Sequence, residues 1–163
     1  MVNSLSRRST IDILIFLSGI LGVFGIDRIT KIFFSGLMAV NESVVVIKHV
    51  LHFSLVHNTG IAFGLFKDSG LIFILIPLIL TGLLVYNIYY FRHTENLSRM
   101  YIIAFSLILG GAIGNLYDRI VFGYVIDFID FRIWPVFNIA DSAITIGAAL
   151  MLFKSIPLSK QPR

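Results

Sequence analysis

Between Asp68 and Arg92 the chain runs for 23 residues without a charged side chain, and Met100 to Tyr117 adds 18 more. A helix of about 20 apolar residues crosses the roughly 30 Å hydrocarbon core of a bilayer, so two such runs point to a membrane protein made mainly of α-helices. Composition agrees, with 57% of the 163 residues hydrophobic and 13% charged, against about 25% charged in a soluble domain. The formal charge of +4 is therefore read as Lys and Arg gathered beside membrane spans, not as a nucleic-acid footprint. The lack of cysteine removes disulfides, thiolate metal sites and a thiol nucleophile.

Arg7 and Arg8 precede an apolar run, as at the start of a secretory signal peptide, but no small-x-small cleavage site follows and the pattern continues past Asp27 and Lys31. The sequence therefore predicts four spans, at about 11–34, 69–91, 100–118 and 138–154, within one integral membrane domain covering 1–163. Pro77 should kink the second, and Gly110, Gly111 and Gly114 should let the third approach its neighbours closely. In the segment 37–66, Val44 to Ile47 is β-branched, and Leu51, Phe53 and Leu55 alternate with His52, Ser54 and Val56. That period of two predicts a small β-sheet at the membrane surface, closed by the turn-like Asn58-Thr59-Gly60. Residues 119–137 read as an outer loop. Four spans put both termini on one side, with seven basic residues there against six elsewhere; the positive-inside rule makes that side the cytoplasm.

This topology gathers the polar residues. Asp27 and Lys31 end the first span, Asn58 and Gly60 follow the sheet, Asn115, Asp118 and Arg119 end the third span, and Asn138 and Asp141 open the fourth. Ionisable groups at membrane depth are costly and mark functional sites. The stretch from Gly110 to Ser142 alone holds Asp118, Asp127, Asp130 and Asp141. Two nearby carboxylates can share a proton, one serving as base and the other as acid, which suits activation of water for peptide hydrolysis. No HExxH, GxSxG or Walker motif offers a rival chemistry.

Each residue also has a plain structural reading. Asn138 and Asp141 suit a helix N-terminus, as a cap and as a charge complementing the dipole. Asp118 and Arg119 suit an ion pair at a helix end, Asp130 and Arg132 suit solvated loop charges, and Trp134 with Pro135 suits an interfacial anchor. His49, His52 and His57 look like a metal cluster, but strand alternation turns His49 away from His52, and no metal site is expected.

Five motifs together resemble one family, lipoprotein signal peptidase (bacterial signal peptidase II): D-x-x-T-K at Asp27 to Lys31, N-x-G-x-A-F-G at Asn58 to Gly64, GGAxGNxxDR at Gly110 to Arg119, V-x-DF at Val125 to Phe128, and FNxADS at Phe137 to Ser142. The resemblance covers nearly the whole chain and implies four transmembrane helices, an extracytoplasmic β-cradle, and a periplasmic loop or helix over the site. It implies Asp127 and Asp141 as the catalytic aspartates, with Asn58, Gly60, Asn115, Asp118, Arg119, Asn138 and Ala140 lining or bracing the site and Asp27 with Lys31 as a supporting pair. It further implies a bacterial inner-membrane endopeptidase that cuts diacylglyceryl-modified prolipoproteins just before the lipidated cysteine, at the outer face. No cofactor, metal or nucleic acid is implied; the expected partners are that substrate and membrane lipid, and the expected state is a monomer. Two positions depart from the family pattern: Arg28 stands where glutamine is common, and only 13 residues separate Asp127 from Asp141.

The main alternative is a small carboxylate-based membrane transporter, which calls for polar residues through the membrane depth or an internal repeat; neither is evident. A presenilin-type protease calls for GxGD, which is absent. A structural or assembly protein would leave the aspartates dispensable.

Overall fold

The structure is a computed structural model and describes residues 2–60, 71–94 and 98–155. Its elements run α1 (Val2–Leu37), β1 (Ser43–Ile47), β2 (Leu51–Asn58), α2 (Leu71–Thr94), α3 (Arg99–Phe122), β3 (Val125–Asp130) and α4 (Ile139–Ser155). Among the described residues, two helices are long and apolar enough to cross a bilayer, Thr10–Leu37 and Arg99–Phe122, and Ile74–Tyr86 and Ile139–Phe153 are shorter apolar stretches. Residues 61–66 of the expected sheet segment, and with them the second half of the Asn58 to Gly64 motif, lie outside the described residues.

Glycine sets the helix packing. α3 lies between α1 and α4, and a Cβ on Gly110 would sit 2.9 Å from the Val23 side chain and 3.0 Å from the Ile20 carbonyl oxygen of α1. One on Gly111 would collide with the Ala140 carbonyl oxygen at the start of α4, and one on Gly147 would lie 2.7 Å from the Ala104 carbonyl oxygen. Backbone cannot retreat as a flexible side chain can. Gly111→Ala is therefore expected to destabilise the protein by ~1–3 kcal/mol through overpacking, whereas Gly22→Ala, in open space, should gain up to ~1 kcal/mol of helix propensity. Thermal unfolding of the two variants checks this; equal Tm values would contradict it.

The expected strands form, but the sheet has a third member. β1, β2 and β3 make an antiparallel sheet in that order, with His57 opposite Ile126 and Asn58 opposite Val125. β3 thus comes from the stretch expected to be loop. α3 also runs four residues past Asp118, through apolar Ile120, Val121 and Phe122, and stops at Gly123, whose φ of 76° is the left-handed cap geometry glycine accepts readily. Apart from the bend at 123–124, what remains irregular of this stretch is 131–138, with no helix in it. Its Phe137 pairs with the outer edge of β3: the amides of Phe128 and Ile129 donate to the Phe137 carbonyl at 3.1 and 2.8 Å. Phe34 of α1 stacks on Phe128 at 4.3 Å between ring centres and meets Phe53 at 4.6 Å, fixing the sheet to the bundle.

Two further expectations, one of a loop and one of a strand, need correcting. Asp130 is not a solvated charge: it is buried and accepts hydrogen bonds from the Ser54 hydroxyl at 2.8 Å, the Arg132 amide at 2.8 Å and the Arg132 guanidinium at 3.1 Å, and only Arg132 faces solvent. Burial raises the Asp130 pKa, but these bonds outweigh it and hold the carboxyl below its usual range. His49 is not in a strand at all; it occupies the β1–β2 turn at a φ of 64°, exposed.

Candidate active site

The site is mounted on a buried charge cluster. Asp27 and Lys31, one helical turn apart, form the expected pair at 2.9 Å, and both are 0% exposed. The Lys31 ammonium also reaches Asp118 at 2.7 Å and donates to the Asn115 side-chain oxygen at 3.1 Å. Asp118 therefore pairs across helices with Lys31 and with Arg28, the latter at 2.6 Å. Arg28 closes the set by donating to Asp27 at 3.1 Å. Two carboxylates against two cations leave the cluster neutral, which is what burial demands. Sequence reasoning noted Arg28 as a departure from the family pattern but gave it no place in the charge cluster, where it supplies the second cation.

The two aspartates of this cluster each hold one element of the site. The Ala140 amide, an unpaired donor in the first turn of α4, donates to Asp27 at 3.1 Å, and the Ile126 amide of β3 donates to Asp118 at 3.2 Å. Ala140 itself is fully buried, and its place in the site is this backbone contact plus the close approach to Gly111.

Asn138 then ties the catalytic candidates together. It caps α4: its side-chain oxygen accepts the Asp141 amide at 2.9 Å, and its own amide donates back to the Asp141 carboxylate at 3.3 Å, a reciprocal capping box. Its side-chain nitrogen donates to the Asp127 carboxylate at 2.7 Å and to Asn115 at 3.0 Å. The cap reading of Asn138 and Asp141 is thus met, and Asn138 also contacts Asp127. The second Asp127 oxygen accepts from Asn58 at 2.9 Å, and Asn58 is oriented in turn by the Gly60 amide, which donates to it at 2.9 Å. The second Asp141 oxygen accepts from Asn115 at 2.7 Å.

Asp127 and Asp141 both line a cleft of about 540 Å³ between α2, α3, α4 and the segment from Trp134 to Phe137. Arg119 lines the same cleft, near enough for its charge to act on both. Asp127 is 2% exposed. Burial, and then the charge of Asp141, push its carboxyl up to about 7, against the opposing pull of Asn58, Lys31 and Asn138. A carboxyl that keeps a proton near neutrality beside a second carboxyl is the equipment of an acid–base pair. Among the described residues no group of three or more His, Asp or Glu side chains is placed to hold a metal ion; His52 meets Ser43 at 3.2 Å, and His57 stacks on Tyr124 at 3.8 Å.

Comparison with known proteins bears on what this equipment serves. The profile of the family described as signal peptidase (SPase) II matches residues 19–157. The chain belongs to the signal peptidase II family. The lipoprotein signal peptidase of Halothermothrix orenii is 45% identical over 133 residues, which is 82% of this chain and 89% of the relative. That of Pseudomonas paraeruginosa is 39% identical over 145 residues, 82% of this chain and 84% of the relative. A bacterial membrane enzyme solved by the in meso method at 2.3 Å resolution shares the fold with a TM-score of 0.73 and 33% identity, over 94% of this chain and 95% of that one. Membership in the signal peptidase II family makes the chain a membrane protease of bacterial type.

Proposed function

We propose that this chain is an aspartic endopeptidase that removes the signal peptide from diacylglyceryl-modified prolipoproteins, cutting just before the lipidated cysteine, with Asp127 and Asp141 as the catalytic pair. The observation that carries this reading is that two carboxylates from different elements face one cleft and are bridged by a single residue, Asn138, whose side-chain nitrogen donates to Asp127 and whose backbone amide donates to Asp141. Apolar stretches in all four helices support four membrane crossings, with the termini cytoplasmic and the site at the outer face by the basic-residue count.

In the mechanism, Asp141 enters as carboxylate and takes a proton from a water in the cleft, while protonated Asp127 donates its proton to the scissile carbonyl oxygen. The water oxygen bonds to the carbonyl carbon, giving a neutral tetrahedral diol. Collapse returns the hydroxyl proton to Asp127 and passes the Asp141 proton to the leaving nitrogen. The carbon–nitrogen bond breaks, releasing a signal-peptide carboxylic acid and a new N-terminal amine on the cysteine. Asn58, Asn115 and Asn138 hold the two carboxyls in place throughout.

The test is the pH dependence of kcat/KM on a diacylglyceryl-modified prolipoprotein, with the new N-terminus read by mass spectrometry. Raising the pH through about 7 strips the proton from Asp127, so kcat/KM is expected to fall about tenfold per unit above that point. The raised pKa also means that the stability linked to Asp127 is fully present below the ordinary carboxylate range and is lost as pH rises through about 7. A flat profile from pH 6 to pH 9 would overturn the assignment.

A further inference from the structure

The inner end of the sheet has two faces, and the catalytic cleft uses one. Asn58, Val125 and Asp127 line that cleft, while Leu55, His57 and Ile126 line a second cleft of about 410 Å³ on the opposite side. Its other walls are the end of α1 with Met38 and Val40, and the end of α3 with Phe122 and Tyr124. The volume falls within the range of about 300–1,000 Å³ typical of small-molecule sites.

Charge and apolarity together decide what fits. Arg28 and Lys31 line the second cleft, but their partners Asp27 and Asp118 do not, so the neutral cluster presents its cationic ends to this space. Arg28 is 13% exposed, with its guanidinium 4.9 Å from the centre of the Tyr117 ring. Ser35 and His57 add polar atoms close by, and burial lowers the His57 pKa. The rest of the lining is hydrocarbon, notably Ile32, Met38, Leu55 and Phe122. Ile29, Ile32 and Phe33 of α1 are exposed beside it, an apolar flank suited to lipid.

We propose that this second cleft binds one anionic phospholipid, its phosphate against Arg28 with Ser35 and His57 beside it, and one acyl chain along Ile32, Met38 and Leu55. Arg28 also bonds Asp27 and Asp118, which hold Ala140 and Ile126 in place. The lipid therefore abuts the mounting of both catalytic aspartates without touching either. The inference does not depend on what the other cleft cleaves.

Native mass spectrometry of the full chain in neutral detergent, with phosphatidylglycerol or phosphatidylcholine at equal mole fraction, tests it. One phosphatidylglycerol should be retained with a preference of about fivefold or more, the value of one arginine near one lipid charge. Ser35→Glu places a carboxylate in the cleft at an exposed position and leaves the buried charges alone; it should abolish the preference. Val40→Trp should fill the trough and lower retention of both lipids. Equal retention of the two lipids by the wild type, a preference that survives Ser35→Glu, or displacement of the lipid by excess inorganic phosphate would each overturn the proposal.

Discussion

Lys31→Met is expected to leave little folded protein at the temperature where the wild type is stable. The ammonium is fully buried and compensates two carboxylates, at 2.9 and 2.7 Å, while also holding Asn115 at 3.1 Å. Its removal leaves Asp27 and Asp118 facing Arg28 alone, one negative charge in excess among fully buried carboxylates. Breaking a buried pair from one side costs ~3–5 kcal/mol, a large part of the roughly 5–15 kcal/mol that holds a typical domain together. The damage reaches the site because Asp27 holds the first turn of α4 and Asp118 holds β3. Adding Asp118→Asn to Lys31→Met restores neutrality as an Asp27–Arg28 pair, so the double variant should be more stable than Lys31→Met alone. Thermal unfolding in detergent reads both effects. An unchanged Tm for Lys31→Met would mean that the cluster does not support the fold.

What was legible in the sequence is what short-range spacing encodes. Asp27 and Lys31 stand one turn apart, Gly110, Gly111 and Gly114 cluster near the end of one span, and Leu51, Phe53 and Leu55 alternate in sequence with His52 and Ser54, so each could be read without knowing its partner. β3 could not. Val125, Ile126, Phe128 and Ile129 are apolar on both sides of Asp127, because both faces of the strand are covered, and a doubly covered strand loses its period of two. Its pairing partner, β2, lies nearly seventy residues earlier, beyond the reach of any local signal. Asp130 was misread for the same reason, since Ser54, the residue that makes its burial tolerable, belongs to β2. Arg28 shows the limit from the other side. Its neighbour in sequence, Asp27, explains only half its bonding, and the other half comes from Asp118 on α3.

Asp127→Asn and Asp141→Asn should each abolish turnover while leaving the fold in place. Asparagine matches aspartate in shape, but it can play neither the acid role proposed for Asp127 nor the base role proposed for Asp141, and loss of such a group costs on the order of 10⁴-fold in kcat. The structural cost is smaller. At position 127 the new amide must turn its NH₂ toward either Asn58 or Asn138, both of which already donate there, and at 141 toward either Asn115 or the Asn138 amide. One lost hydrogen bond with a donor left facing a donor costs ~1–3 kcal/mol, which lowers Tm without unfolding the chain. The measurement to make is cleavage of a purified diacylglyceryl-prolipoprotein in detergent by wild type, Asp127→Asn and Asp141→Asn, each confirmed folded and tested for substrate binding. The account predicts cleavage before the lipidated cysteine by the wild type, and no detectable turnover with binding retained in both variants. Turnover surviving in either variant would contradict the carboxylate pair, and no cleavage by the folded wild type would contradict the peptidase reading and favour a carboxylate-based transporter.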